Sequence, residues 1–93
     1  MNKKKNYGHL NNVIHTLYDM RYGKDAVAVQ KALSLAFDIS YNRPVQDTAL
    51  KDLADACHNL APDTMEAIKA LKEDAVKNYP SLVNRIQMIL VFS

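Results

Sequence analysis

Tryptophan is absent from this 93-residue chain, cysteine occurs once, glycine twice and proline three times. Each scarcity excludes something. The lone thiol, Cys57, closes no intramolecular disulfide and has no second cysteine for a zinc ribbon or redox pair, so the expected compartment is reducing, the cytoplasm. The longest strictly apolar run, residues 88–92, is far short of the roughly 20 residues needed to span a bilayer, so no transmembrane segment is expected. After the lysines at positions 3–5 come Gly8, His9, Asn11 and Asn12, where the apolar core of a secretory signal would have to begin, so none is read. No catalytic or nucleotide-binding signature is present, and no catalytic residue, cofactor or metal is expected. The net charge is only +2, with the basic character at the N-terminus and an acidic stretch over residues 45–79.

An apolar fraction of 48% beside 24% charged residues is that of a chain able to bury a core, and it argues against disorder. One helical domain over residues 1–93 is expected, with residues 1–6 an unstructured basic start. Apolar residues at Leu10, Val13, Ile14, Leu17 and Met20 or Tyr18 mark an amphipathic helix between Asn6 and Tyr22, with Gly23 placed to close it in a left-handed conformation. A second helix runs from an N-cap at Asp25 to about Tyr41. Its broad apolar arc of Val27, Val29, Ala32, Leu33, Ala36, Phe37 and Ile39 suits a central position.

Leu50, Leu53, Cys57 and Leu60, widened by Ala49, Ala54 and Ala61, define a third helix. A fourth opens at APDTMEA, where Asp63 and Glu66 have the spacing of a capping box, and buries Met65, Ile68, Leu71 and Ala75 before Pro80. Lys69, Lys72 and Lys77, interleaved with Glu66, Glu73 and Asp74, read as a solvated face, with Glu73 and Lys77 a supportive pair. Residues 81–93 are apolar, and Leu82, Ile86 and Ile89 or Leu90 keep helical spacing while the last five residues also suit an extended tail. The fold class is therefore all-α: an antiparallel four-helix bundle with a short C-terminal fifth helix or apolar tail.

Chemistry-bearing groups are few. His15 and Asp19 stand four apart on the first helix, the geometry of an acid–base pair or half a metal site, with His9 further back. Cys57 beside His58 lacks the facing geometry that activates a thiol and reads as a core residue. Tyr7, Tyr18, Tyr22 and Tyr41 occur with Arg21, Lys24 and Arg43, a mixture found at protein interfaces and also on surfaces that stack bases. The acidic third helix, with Asp47, Asp52 and Asp55, disfavours a nucleic-acid groove.

The words IHTLYDM and ALKDLADACHNLAPDTMEAIKALKE, after a basic start, resemble the class IIa bacteriocin immunity proteins. That resemblance covers residues 10 to 75. It implies a small cytosolic antiparallel four-helix bundle that protects a producer cell at the inner face of its membrane by acting on a receptor–toxin complex, with specificity in the C-terminal portion. The joint YNRPVQD carries no family signature, and no functional residue is transferred.

The functional expectation is a non-enzymatic protein that works by binding another protein, with Tyr18, Arg21, Tyr22, Arg43, Arg85, Met88 and Phe92 as candidate contacts. The alternative is a small nucleic-acid-binding regulator using the basic N-terminus. The apolar C-terminal segment has three candidate destinations: the chain's own core, a homodimer or partner interface, and a peripheral membrane contact.

Overall fold

Five α-helices follow one another in the computed structural model, which describes residues 2–91, with side chains from Leu10 onward. They are α1 (Asn2–Asp19), α2 (Ala26–Ser40), α3 (Asp47–Ala56), α4 (Pro62–Asn78) and α5 (Val83–Ile89), the last entered through a 3-10 turn at Pro80–Leu82. No strand occurs among the described residues, so the chain is all-helical as its periodicity implied. Phe92 lies outside the described residues.

The stripe on α1 buries Leu10, Val13 and Leu17, with Ile14 and Met20 packed at its edge. The helix begins at Asn2 and so takes in the lysine-rich stretch expected to be unstructured; lysine is a good helix former. It stops at Asp19, short of Tyr22, and the backbone tightens, Met20 N–H donating to Leu17 at 3.1 Å and Gly23 N–H to Met20 at 3.0 Å. Gly23 does not adopt the left-handed conformation expected of it. Its missing side chain matters because a Cβ there would stand 3.3 Å from the Met20 carbonyl.

Left-handed residues occur instead at Asn42 (φ 58°) and Asn59 (φ 55°), after α2 and α3. Asparagine tolerates this region better than other residues with a Cβ. The backbone leaves the helix at Cys57 (φ −87°, ψ 65°), so α3 ends at Ala56 and not beyond Leu60. Cys57 is therefore a buried residue just past the helix, Leu60 is half-buried in the turn, and Ala49 is exposed.

Helix α2 touches α1, α3 and α4 and buries Ala28, Val29, Ala32, Leu33, Leu35, Ala36 and Ile39, while Val27 is exposed. Asp25 precedes it but makes no side-chain cap bond to it. Its Oδ2 instead accepts a 2.9 Å hydrogen bond from the Ala61 N–H, at the N-terminus of α4, and the Thr64 hydroxyl bonds to it as well. The expected Asp63–Glu66 capping box does not form. Pro62 occupies the first helical position, which places Asp63 inside the helix, and the cap comes from across the fold.

Those two bonds, the Ala61 N–H first, hold the Asp25 carboxyl below its ordinary value. A carboxylate favoured in the folded state contributes stability that is present above its unfolded pKa and lost as pH falls through the lowered folded one. Asp25→Asn keeps an acceptor but not the charge. It is expected to flatten the acid limb of a plot of thermal midpoint against pH; an unchanged acid limb contradicts the assignment.

Helix α4 buries Thr64, Ala67, Ile68, Leu71, Asp74 and Ala75, leaving Met65 half-exposed. Asp74, expected on the solvated face, is only 2% exposed and accepts a 2.9 Å hydrogen bond from the Asn78 side-chain amide. The C-terminal segment is helical to Ile89 and packs on α3 and α4, burying Leu82, Ile86 and Leu90.

Candidate functional site

The sequence-predicted contacts fall at three places. At the end of α1, the Arg21 guanidinium lies 3.6 Å from the centre of the Tyr18 ring and 4.5 Å from that of Tyr22. Its Nη1 donates to the Tyr18 carbonyl at 2.6 Å, and its own carbonyl accepts from Gln30 Nε2 of α2 at 3.0 Å. The spacing produces this stack: positions 18, 21 and 22 are i, i+3 and i+4, neighbours on one face of the chain as α1 ends, so the Arg21 guanidinium reaches both rings. The rings remain open to solvent, Tyr18 47% and Tyr22 81% exposed.

A second aromatic–arginine group closes α2. Phe37 and Tyr41 stack with ring centres 6.1 Å apart, and Arg43 sits 5.0 Å from the Tyr41 ring and 3.6 Å from Asp38. Leu33, Ser34 and Gln30 continue this face as an open groove of about 500 Å³. From Gln30, which holds Arg21, to Tyr41 is eleven residues, or about 16 Å at the helical rise. Among the described side chains Tyr18 and Tyr22 thus stand with Arg21 at the end of α1 and Tyr41 with Arg43 at the end of α2; the Tyr7 side chain lies outside them.

Arg85 is occupied internally. Its Nη1 donates to the Val45 carbonyl at 2.6 Å and lies 3.4 Å from Asp47 Oδ1, which fastens α5 to the segment joining α2 and α3. The ion pair is largely solvated and adds little. Met88 is 80% exposed and Val91 is also exposed, so these two are the described apolar side chains the C-terminal segment leaves for a partner.

His15 and Asp19 are both exposed and are not hydrogen-bonded to each other. Among the described residues no group of three or more His, Cys, Asp or Glu is placed to hold a metal ion. Burial pushes the Cys57 thiol up to about 11, so it is protonated at neutral pH and inert as a nucleophile. Glu73 and Lys77 do not form the expected pair.

A surface not anticipated from the sequence lies between α1 and α4: a groove of about 430 Å³ with Val13, Met20, Ala67 and Ala70 in its lining and the carboxylates of Asp19, Asp63 and Glu66 beside them. Its signal was latent in the two amphipathic patterns, each of which puts an acid next to a small or flexible apolar residue at the edge of its stripe. No helix among the described residues is long and apolar enough to cross a membrane. Comparison of the chain with family models, with curated proteins and with solved structures gave no match.

Proposed function

We propose that this chain is a non-enzymatic binding protein whose four longer helices form an antiparallel bundle closed by α5, and that it engages a protein partner in the cytosol through the end of α1. The helix contacts support the bundle, since α1 lies on α2 and α4, α2 on α3, and α5 on α3 and α4. One observation carries the functional reading: the Tyr18–Arg21–Tyr22 stack is exposed yet held by a cation between two rings and by hydrogen bonds to Tyr18 and Gln30. Tyrosine and arginine dominate interface hot spots, and a surface ordered before binding loses less entropy on association. This reading places no chemistry on Cys57, whose thiol burial keeps protonated at neutral pH, or on His15 and Asp19.

The bacteriocin-immunity form of this reading rests on the sequence words given above, and protection of a sensitive bacterium against an antilisterial peptide is its own test. For the general reading, the experiment is co-purification of the tagged chain from its host, with and without nuclease. A stoichiometric protein partner that survives nuclease is expected. A complex that dissolves with nuclease and weakens steeply with salt replaces this reading with the nucleic-acid one.

A further inference from the structure

We infer that the groove between α1 and α4 accepts a cationic amphipathic helix of a partner protein. Along α1 the groove extends from Asn12 to Met20, about 12 Å at the helical rise, the length of roughly two turns of a docked helix. Its lining is graded. Val13 and Ala67, themselves almost fully buried, form its floor beside half-exposed Ala70, with Asn12 and Thr16 on the α1 wall, while Asp19 and Asp63 lie at the end marked by Met20 and Glu66 follows one turn along α4. Met20 and Asp63 continue into the adjoining cleft beside Gly23, Lys24 and Asp25, so the acidic end is the one where α4 begins, with Lys24 the cation nearest to it in the chain.

Three carboxylate side chains belong to residues that line this one groove, in a chain whose net charge is +2. None of the three has a hydrogen bond or ion pair with another described residue. Asp63 and Glu66 stand in the opening turns of α4, where the helix dipole favours a negative charge. Asp19 has no such explanation: it ends α1, the position at which a carboxylate is disfavoured by its own helix. A charge that costs its helix stability and faces an apolar groove with two further carboxylates fits a complementary cation on a partner. The occupant is therefore a helix with lysine or arginine at one end and apolar residues three and four apart along the groove-facing side.

This inference shares with the reading above only that the chain binds proteins. Its residues are not those of the tyrosine–arginine stack, so either can fail alone. The probe is a synthetic lysine–leucine amphipathic helix titrated into isotope-labelled full-length chain, with a scrambled peptide of the same composition as control. Expected are amide shift changes confined to residues 12–20 and 63–70, weak response to the scrambled peptide, and loss of affinity as salt rises. The triple variant Asp19→Asn, Asp63→Asn, Glu66→Gln should bind roughly tenfold more weakly, as three exposed ion pairs of ordinary strength imply. The equally charged control Asp52→Asn, Asp55→Asn, Glu73→Gln, with acids outside the groove, should bind as wild type does. Shifts elsewhere or nowhere, equal response to the scrambled peptide, or equal weakening by both triples would overturn the assignment; the wild-type shift map stands as a test even if the groove variant folds poorly.

Discussion

Ile86→Ala is expected to destabilise the fold by about 2–5 kcal/mol, the usual loss for a fully enclosed aliphatic side chain that leaves a cavity. Ile86 has no exposed surface and belongs to a helix packed on both α3 and α4, so truncation opens space that three elements would have to close together. A chain of 93 residues has about 5–14 kcal/mol of stability in total, and the thermal midpoint should fall by roughly 10–30 °C. Met88→Ala, two residues along the same short helix but 80% exposed, should stay within about 0.5 kcal/mol of wild type. Paired urea melts of the two variants read out where the apolar C-terminal segment is spent. A segment used mainly on a partner or a membrane would give the reverse: an Ile86 variant with normal stability and a Met88 variant with lost association.

Replacing the stack at the end of α1 should leave stability nearly unchanged and abolish most partner affinity. Tyr22→Ala and Arg21→Ala are each expected to weaken the complex by about 2 kcal/mol or more, roughly thirtyfold, if this is a hot spot. Arg21 acts on both rings, so losing it frees Tyr18 and Tyr22 together and removes the order that made them a surface. The double variant should therefore cost less than the sum of the two single ones, as coupled neighbours do. Arg21→Lys keeps the charge but not the planar guanidinium that lies against the rings, and it should recover little. Calorimetry on the co-purified partner measures all four chains. Full additivity would mean that the tyrosine and the arginine make separate contacts.

Much of the architecture was legible because apolar spacing is a direct record of burial. Leu10, Val13 and Leu17 on α1, and Ile68, Leu71 and Ala75 on α4, lie inside as their period requires. Boundaries were less legible, since they depend on backbone conformation. Gly23 invites a left-handed stop that Asn42 and Asn59 make instead, and the apolar spacing of α3 continues through Leu60 and Ala61 although the backbone leaves the helix at Cys57.

Long-range partners were the hardest to foresee. Asp25 caps α4 from 36 residues away, and Arg85 reaches Val45 across 40; neither pairing leaves a local signature. Asp74 belongs to the helical stripe of positions 64, 67, 68, 71, 74 and 75 that α4 buries, although its charge places it among solvated residues. The contact surfaces were legible only as composition. Tyrosine and arginine were evident, but their division between the end of α1 and the end of α2 follows from where the two helices stop, and the acidic groove required two helices to be set side by side.

The proposed function sets a protein partner against the end of α1. A photo-reactive phenylalanine analogue placed at Tyr22 tests it inside the host cell, with the same group at Lys51 as control; Lys51 is exposed on α3, which does not touch α1 among the described residues. The account predicts a single protein adduct at position 22 that position 51 does not give. Adducts of equal yield at both positions, or to nucleic acid alone at position 22, would contradict it.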